Sequence, residues 1–190
     1  LSSSYQKELT NRIIIGIDPG TNIMGYGIIE ITGGKIHLLS LGVLKLNKVE
    51  SHNLKLKNIF ERTFSLIEQY HPDELAIEAP FYGKNVQSML KLGRAQGVAI
   101  AAALSRSVPV FEYSPKKVKQ SITGKGNASK EQVAAMLQTL LSFKGMPKYL
   151  DATDGLAVAM CHYYQRNAIS EKKSYSGWNA FLAENPERKV

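Results

Sequence analysis

The chain has 190 residues, 44% of them hydrophobic, and a formal net charge of +8. That length suits one domain with a packed core and falls short of a two-lobed kinase-like ATPase, which needs two domains of about 150 residues each. No apolar run approaches the ~20 residues of a membrane span, residues 1–12 lack a signal-peptide core, and Cys161 stands alone, which excludes an internal disulfide and a cysteine-based zinc site. A soluble, cytoplasmic protein is therefore expected.

Residues 1–11 carry no periodic pattern and read as a flexible lead-in. From Arg12, the β-branched Ile13, Ile14, Ile15 and Ile17 predict a buried strand that delivers Asp18 into a Pro19-Gly20 turn. A carboxylate at such a strand end needs solvent, hydrogen bonds or a cation, because an isolated buried charge costs several kcal/mol. Three readings of Asp18 stand at this point. It caps its own turn; it belongs to a phosphate loop of the actin, heat-shock and sugar-kinase type; or it is a metal-binding carboxylate ending the first strand of a ribonuclease H-like sheet.

Two more strands follow in "GYGIIEIT" and "KIHLLSLGVLKL", joined at Gly33-Gly34 as a hairpin. Leu56, Ile59, Phe60, Phe64 and Ile67 recur at helical spacing between His52 and Tyr70, and Pro72 closes that helix. "ELAIEAP" predicts a short fourth strand. A long helix spans Val86 to Arg106, with small residues from Gly93 to Ala103 that would let another helix approach closely. "VPVFEYSP" gives the fifth strand, Ser114-Pro115 starts a helix, and Ser129 with Gln132 forms a capping box ahead of "EQVAAMLQTLLSF". A last helix runs from Asp151 to about Asn167, and residues 168–190, including Trp178 and Phe181, read as a tail. The order predicts an α/β domain over residues 12–167: a mixed five-stranded sheet with helices on both faces, the element order of the ribonuclease H-like fold.

The charge is unevenly placed. Between Lys84 and Lys130 stand nine basic residues, Lys84, Lys91, Arg94, Arg106, Lys116, Lys117, Lys119, Lys125 and Lys130, against the single acid Glu112, so this segment equals the whole excess. Nucleic acid is the simplest polyanionic partner for it. Four acids hold special positions: Asp18 ends the first strand, Glu78 the fourth, and Asp151 and Asp154 share one face of the last helix's first turn. Asp is also favoured there as a helix cap, so the pair alone reads either way. Strand ends and helix starts on one rim of an open sheet can converge, however. Oxygen-only ligands suit Mg²⁺ or Mn²⁺, and two such ions would clamp attacking water and leaving oxygen in phosphodiester cleavage. His162, two turns beyond Asp154, reads as a packing or supporting residue, and His37, His52 and His71 as structural or solvated. Cys161 reads as core packing.

Five separated motifs, "GIDPGTNIMGYGII", "IEAPFYGKN", "LKLGRAQGVAIAAA", "FEYSPKKVKQSITGKGNASKEQV" and "DATDGLAVAMCHYY", give the chain a resemblance to the bacterial RuvC family of Holliday junction resolvases over roughly residues 12–165. The resemblance implies a homodimer that nicks opposing strands of a four-way DNA junction symmetrically and works with the RuvA-RuvB branch-migration complex. It implies Asp18, Glu78, Asp151 and Asp154 as the catalytic, metal-holding acids and Lys119 and Lys130 as lysines that support catalysis. Phe81 takes the place of an aromatic that stacks at the crossover, a role Tyr82 could share; Lys84, Lys91, Arg94, Lys116, Lys117 and Lys125 join the two catalytic lysines as expected DNA contacts. Two positions depart from the family pattern: Ala79-Pro80 follows Glu78 where Gln is usual, and Gly155 stands where Ala is common, which weakens the helix. The competing functions are a non-catalytic junction-binding module, which would lose a carboxylate, and the actin and heat-shock type of ATPase, which would need a second phosphate loop and a longer chain.

Overall fold

The computed structural model describes residues 11–80 and 85–171, with side chains as far as residue 167. Residues 1–10 of the expected lead-in, residues 172–190 of the expected tail, with Trp178 and Phe181, and the candidate contacts Phe81, Tyr82 and Lys84 lie outside the described residues. Three strands come first, β1 (Arg12–Asp18), β2 (Ile23–Thr32) and β3 (Lys35–Lys45), then α1 (His52–Tyr70), β4 (Glu74–Glu78), α2 (Val86–Leu104) and β5 (Val110–Tyr113). Three helices complete the chain: α3 (Pro115–Thr123), α4 (Lys130–Leu141) and α5 (Asp151–Glu171). The last helix continues four residues beyond the Asn167 that the sequence pattern suggested.

The sheet order is β3-β2-β1-β4-β5, with β1, β2 and β3 antiparallel and β1, β4 and β5 parallel. This is the ribonuclease H-like arrangement. Because side chains alternate across a strand, Ile15, Ile17, Leu75 and Ile77 face one way and pack with Ile59, Leu66, Ala95 and Ala99 of α1 and α2. Ile14 and Ala76 face the other way, onto Leu156, Ala157 and Met160 of α5 and Val118 of α3. Each fully buried Ile in these layers contributes roughly 1.5–3 kcal/mol, so the two cores fix the strand register and hence the direction of the next residue along each strand. By that alternation Asp18 and Glu78 both face α5.

Local chemistry starts the helices where the sequence indicated. The Ser129 hydroxyl accepts from Gln132 N at 3.3 Å while Gln132 Oε1 accepts from Ser129 N at 2.9 Å, the reciprocal capping box. Ser114 caps α3 ahead of Pro115, and Gly124 ends that helix at φ 75°, a left-handed conformation that glycine adopts without strain. Cys161 is fully buried in the α5 core, as expected.

Candidate active site

Asp18 and Glu78 end the adjacent parallel strands β1 and β4, whose register pairs Ile17 with Ile77. The start of α5 crosses the same rim. Its approach is unusually close: a Cβ on Gly25 of β2 would lie 1.7 Å from the Asp151 carbonyl oxygen, and one on Gly155 would lie 2.5 Å from both Cα and N of Tyr26. Glycines at 25 and 155 thus let the helix rest directly on the strand backbone, which brings Asp151 and Asp154 onto the rim. The sequence-based reading of Gly155 as a helix-weakening departure is therefore incomplete, since no side chain fits at that position.

Lys130, the first residue of α4, bridges the helix pair. Its ammonium donates to Asp151 Oδ1 at 3.4 Å and makes a short contact with Asp154 Oδ2. Both Asp carboxylates are therefore engaged by a side chain from another helix, as members of a charge cluster, and not simply as caps of their own first turn. Burial first, then the neighbouring charges of Asp154 and Asp151, push the Asp18 carboxyl up to about 7 against the opposing pull of Lys130. Burial and the charges of Asp18 and Asp154 push Glu78 up to about 8, opposed by Lys130 and Lys119. Asp154 is also raised, chiefly by burial, even though Lys130 opposes the shift. Lys130 in turn is held well above its usual value because the Asp154 hydrogen bond and the surrounding carboxylates outweigh the cost of its burial. Four acids from β1, β4 and α5 and two lysines from α3 and α4 thus share one electrostatic neighbourhood. A cleft of about 160 Å³ lined by Asp18, Pro19, Glu78 and Leu92 opens onto it.

The turn after Asp18 is fastened from below. Lys55 of α1 donates to the Thr21 carbonyl at 3.0 Å and lies 3.4 Å from Asn22 Oδ1, and Asn22 O accepts from Leu46 N at 2.8 Å. Nothing in local sequence links Lys55 to a turn 34 residues earlier, so sequence reading missed it. Among the described residues no three His, Cys, Asp or Glu side chains are already gathered at one-ion spacing. The donor set nevertheless fits a hard divalent cation: it is all oxygen, and burial together with repulsion from neighbouring acids drives the Asp18 and Glu78 carboxyls toward holding protons where no further positive charge is supplied.

The candidate basic residues divide into groups. Lys119 acts on Glu78 and Asp154, and with Lys116, Gly126 and Asn127 it lines an open cleft of about 630 Å³ beside the carboxylates. Lys91 and Arg94 lie near His52 on the α1 side, where after burial their charges hold the imidazole below its usual value. Arg106, counted in the basic excess, is spent elsewhere: its Nε meets Glu68 at 2.7 Å and its guanidinium covers Phe64. Lys117 and Lys125 are exposed on and just after α3.

His162 does not join the carboxylates. It is fully buried at the other end of the sheet, with Nδ1 2.6 Å from the Tyr113 hydroxyl and Nε2 2.9 Å from Glu74 Oε2. Arg12 and Arg166 complete the shell around Glu74 at 3.6 and 2.9 Å. Of the two roles read for His162, the structure shows packing: it stands at the start of β4, four residues from Glu78, and supports Glu74 there, not the carboxylates. Its partner Glu74 is an acid inside an apolar strand, which was the one available sequence signal.

Comparison with known proteins agrees with this geometry. The family model described as crossover junction endodeoxyribonuclease RuvC matches residues 14–162. A protein of that name from Cytophaga hutchinsonii is 64% identical over 178 residues, covering 94% of this chain and 88% of the relative. Another from Christiangramia forsetii is 59% identical over 190 residues and 99% of both chains. Among solved structures, Thermus thermophilus RuvC in complex with a Holliday junction substrate superposes with a TM-score of 0.75 at 33% identity, covering 83% of this chain and 96% of that one.

Proposed function

The chain belongs to the RuvC family, and from that premise we propose that it is a metal-dependent endodeoxyribonuclease that resolves Holliday junctions by paired, symmetric nicks. The observation that carries the reading is the meeting of Asp18, Glu78, Asp151 and Asp154 with Lys130 on one rim of the sheet. These are the acids whose chemistry suits phosphodiester hydrolysis. In this reading Asp18, Glu78, Asp151 and Asp154 hold the metal. Mg²⁺ or Mn²⁺, two ions per site, supplies activation of the attacking water and charge for the leaving oxygen when bound.

The chain's own groups do the rest. Lys119 and Lys130 offset negative charge that builds on the phosphate during displacement, and the neighbouring carboxylates orient water and metal. Lys116, Lys117 and Lys125 hold the DNA backbone on the α3 side, with Lys91 and Arg94 contributing from α2. Phe81 and Tyr82 follow Glu78 by three and four residues, and we assign them stacking at the crossover, where an aromatic on an unpaired base contributes ~1 to 3 kcal/mol. The nuclease domain of this reading starts at residue 12 and takes in the whole of α5, to Glu171.

Two incisions need two sites, and α2 supplies a way to pair them. Val86, Leu90 and Leu104 are 63%, 51% and 59% exposed and fall with Gly97 and Ala101 on one helical stripe, an apolar face suited to a second copy of the chain. A homodimer joined there presents two rims to one junction. By family, the RuvA-RuvB complex is the proposed partner in the cytoplasm. Among the described residues no helix is long and apolar enough to cross a membrane.

The test is incision of a synthetic four-way junction beside a linear duplex of the same sequences, in Mg²⁺ or EDTA, by wild type and Asp18→Asn. Symmetric nicking of the junction alone, stopped by EDTA and by Asp18→Asn without loss of binding, is expected. Binding without cutting under every divalent metal and sequence tried would make the chain a junction-binding module instead.

A further inference from the structure

The described basic residues from Lys91 to Lys125 stand on or just after α2 and α3, but the rim has another side. Two stretches far apart in sequence meet there: residues 41–48, which hold Lys45 and Lys48, and residues 142–150, which hold Lys144 and Lys148. Neither contains an acid. Lys45 ends β3 and pairs with Ile23 at the start of β2, which places it at the same end of the sheet as Asp18. Its ammonium lies 4.3 Å from the centre of the Tyr149 ring, and that of Lys148 lies 5.9 Å from it. Tyr149 precedes Asp151 by two residues and borders a recess of about 330 Å³ walled by Leu41, Val43, Phe143 and Met146. Among the described residues, Lys45, Lys48, Lys144 and Lys148 form no ion pair with a carboxylate.

We propose that Lys45 and Lys148, set against the Tyr149 ring, and Lys144, on the wall of the same recess, form a second DNA-backbone site that holds the duplex arm on the β3 side of the active centre. The inference rests on the nuclease reading above and deepens it. Uncompensated lysines crowded around one ring repel one another and are relieved by a polyanion. Position selects which one. In sheet order β3 stands two strands from β1, about 10 Å at 4.7–4.9 Å per strand, so a phosphate on this patch belongs to the same duplex as one held at Asp18. Lys116 and Lys119 stand on α3, which follows β5, the edge strand opposite β3, so in this arrangement the carboxylates sit between two basic walls and a duplex crossing the rim touches both. Tyr149, with a lysine against its ring, fixes the height of the ammonium groups above the recess.

The experiment is the salt dependence of binding to a linear duplex and to the four-way junction, for wild type, Lys45→Gln/Lys148→Gln and Lys35→Gln. Lys35 starts β3 at the far end of the same strand and serves as the control. Each phosphate contact contributes about 0.9 to the slope of log K against log salt, so the double variant is expected to lose about 1 to 2 from that slope on both DNAs, with Lys35→Gln unchanged. Lys144→Gln, at an exposed position on the recess, is expected to lose about half as much and serves if the double variant melts early. Unchanged slopes for the double variant and Lys144→Gln, with junction cutting intact, overturn the patch and leave the nuclease standing. A reduced slope in a protein that never cuts junctions supports the patch and overturns the nuclease reading. Wild type that binds neither DNA overturns both.

Discussion

Gly155 on α5 and Tyr26 on β2 meet backbone to backbone: a Cβ on the glycine would fall 2.5 Å from Tyr26 Cα and N. Exchanging Gly for Ala in an exposed helix gains about 1 kcal/mol. Here the added methyl has backbone to displace, and overpacking of that kind costs about 1–3 kcal/mol. The steric term wins, and Gly155→Ala is expected to melt a few degrees below wild type. The displaced turn carries Asp151 and Asp154, so cutting should fall more than junction binding does. A variant that melts higher and cuts normally would show that β2 yields to the helix.

Asp18 sets stability against function. Its carboxyl stands near 7, well above the usual 3.8, so the folded protein binds that proton more tightly than the unfolded chain does. For an acid raised in this way, stability is fully present below about 4 and is lost as pH rises toward 7. In EDTA at pH 8, Asp18→Asn removes the repulsion and is expected to raise stability by about 1 to 2 kcal/mol, a gain that shrinks at pH 5. Millimolar Mg²⁺ should erase the gain by stabilising only the wild type. Thermal melts at two pH values, with and without the ion, measure this; an Asn variant less stable than wild type at pH 8 in EDTA contradicts it.

What the sequence disclosed follows from the range of the interactions. The run Ile13, Ile14, Ile15 and Ile17, the capping box at Ser129 and Gln132, and the Pro115 helix start are local signals, and each element appeared where they indicated. The four acids could be named because they sit at ends of elements that share a rim. Contacts between distant residues left no local trace. Lys55 reaches the turn after Asp18, Glu74 pairs with His162 across 88 positions, and Lys45 meets Tyr149 only because β3 and the approach to α5 fold together. The basic count from Lys84 to Lys130 equalled the net charge, which hid the second basic patch behind acids that cancel it elsewhere in the chain.

Glu74 separates folding from chemistry. Burial opposes its ionisation, but the His162 hydrogen bond and the charges of His162, Arg12 and Arg166 prevail and hold its carboxyl below the usual 4.5. A depressed acid contributes stability above about 4.5 that is lost as pH falls through its lowered value. Glu74→Gln is expected to lose about 1–3 kcal/mol at pH 7 and to flatten the acid limb of the stability curve. Glu74 begins β4 and Glu78 ends it, roughly 13 Å away at strand rise, so cutting by the folded variant should stay near wild type. Loss of cutting without loss of stability would join the two ends of the strand functionally.

Lys119 tests whether the α3 wall does more than hold DNA. Its charge lowers the proton affinity of Glu78 and Asp154, so it lies within electrostatic reach of the reacting phosphate. Lys119→Ala is expected to slow cutting by about 10²-fold while changing junction affinity little, as removal of a group acting on developing charge does. Single-turnover rates beside binding isotherms separate the two effects, and equal losses in both would reduce Lys119 to a backbone contact.

The α2 stripe tests the pairing of sites. Leu90 is half exposed on the same face as Val86 and Leu104, and on a two-fold axis such a face meets its own copy. An aspartate there faces its twin in a desolvated seam, and the repulsion opposes an interface that must bury about 1,000 Å² or more to persist. Leu90→Asp is therefore expected to sediment as a monomer at concentrations where wild type is a dimer, with melting lowered only by the stabilisation that dimerisation supplies, because Leu90 is half exposed in the single chain. Junctions treated with it should show isolated nicks in place of paired ones, since each monomer carries one rim. A Leu90→Asp protein that remains dimeric would move the seam off α2, while a monomer that still nicks in symmetric pairs would sever the link between dimerisation and coordinated incision.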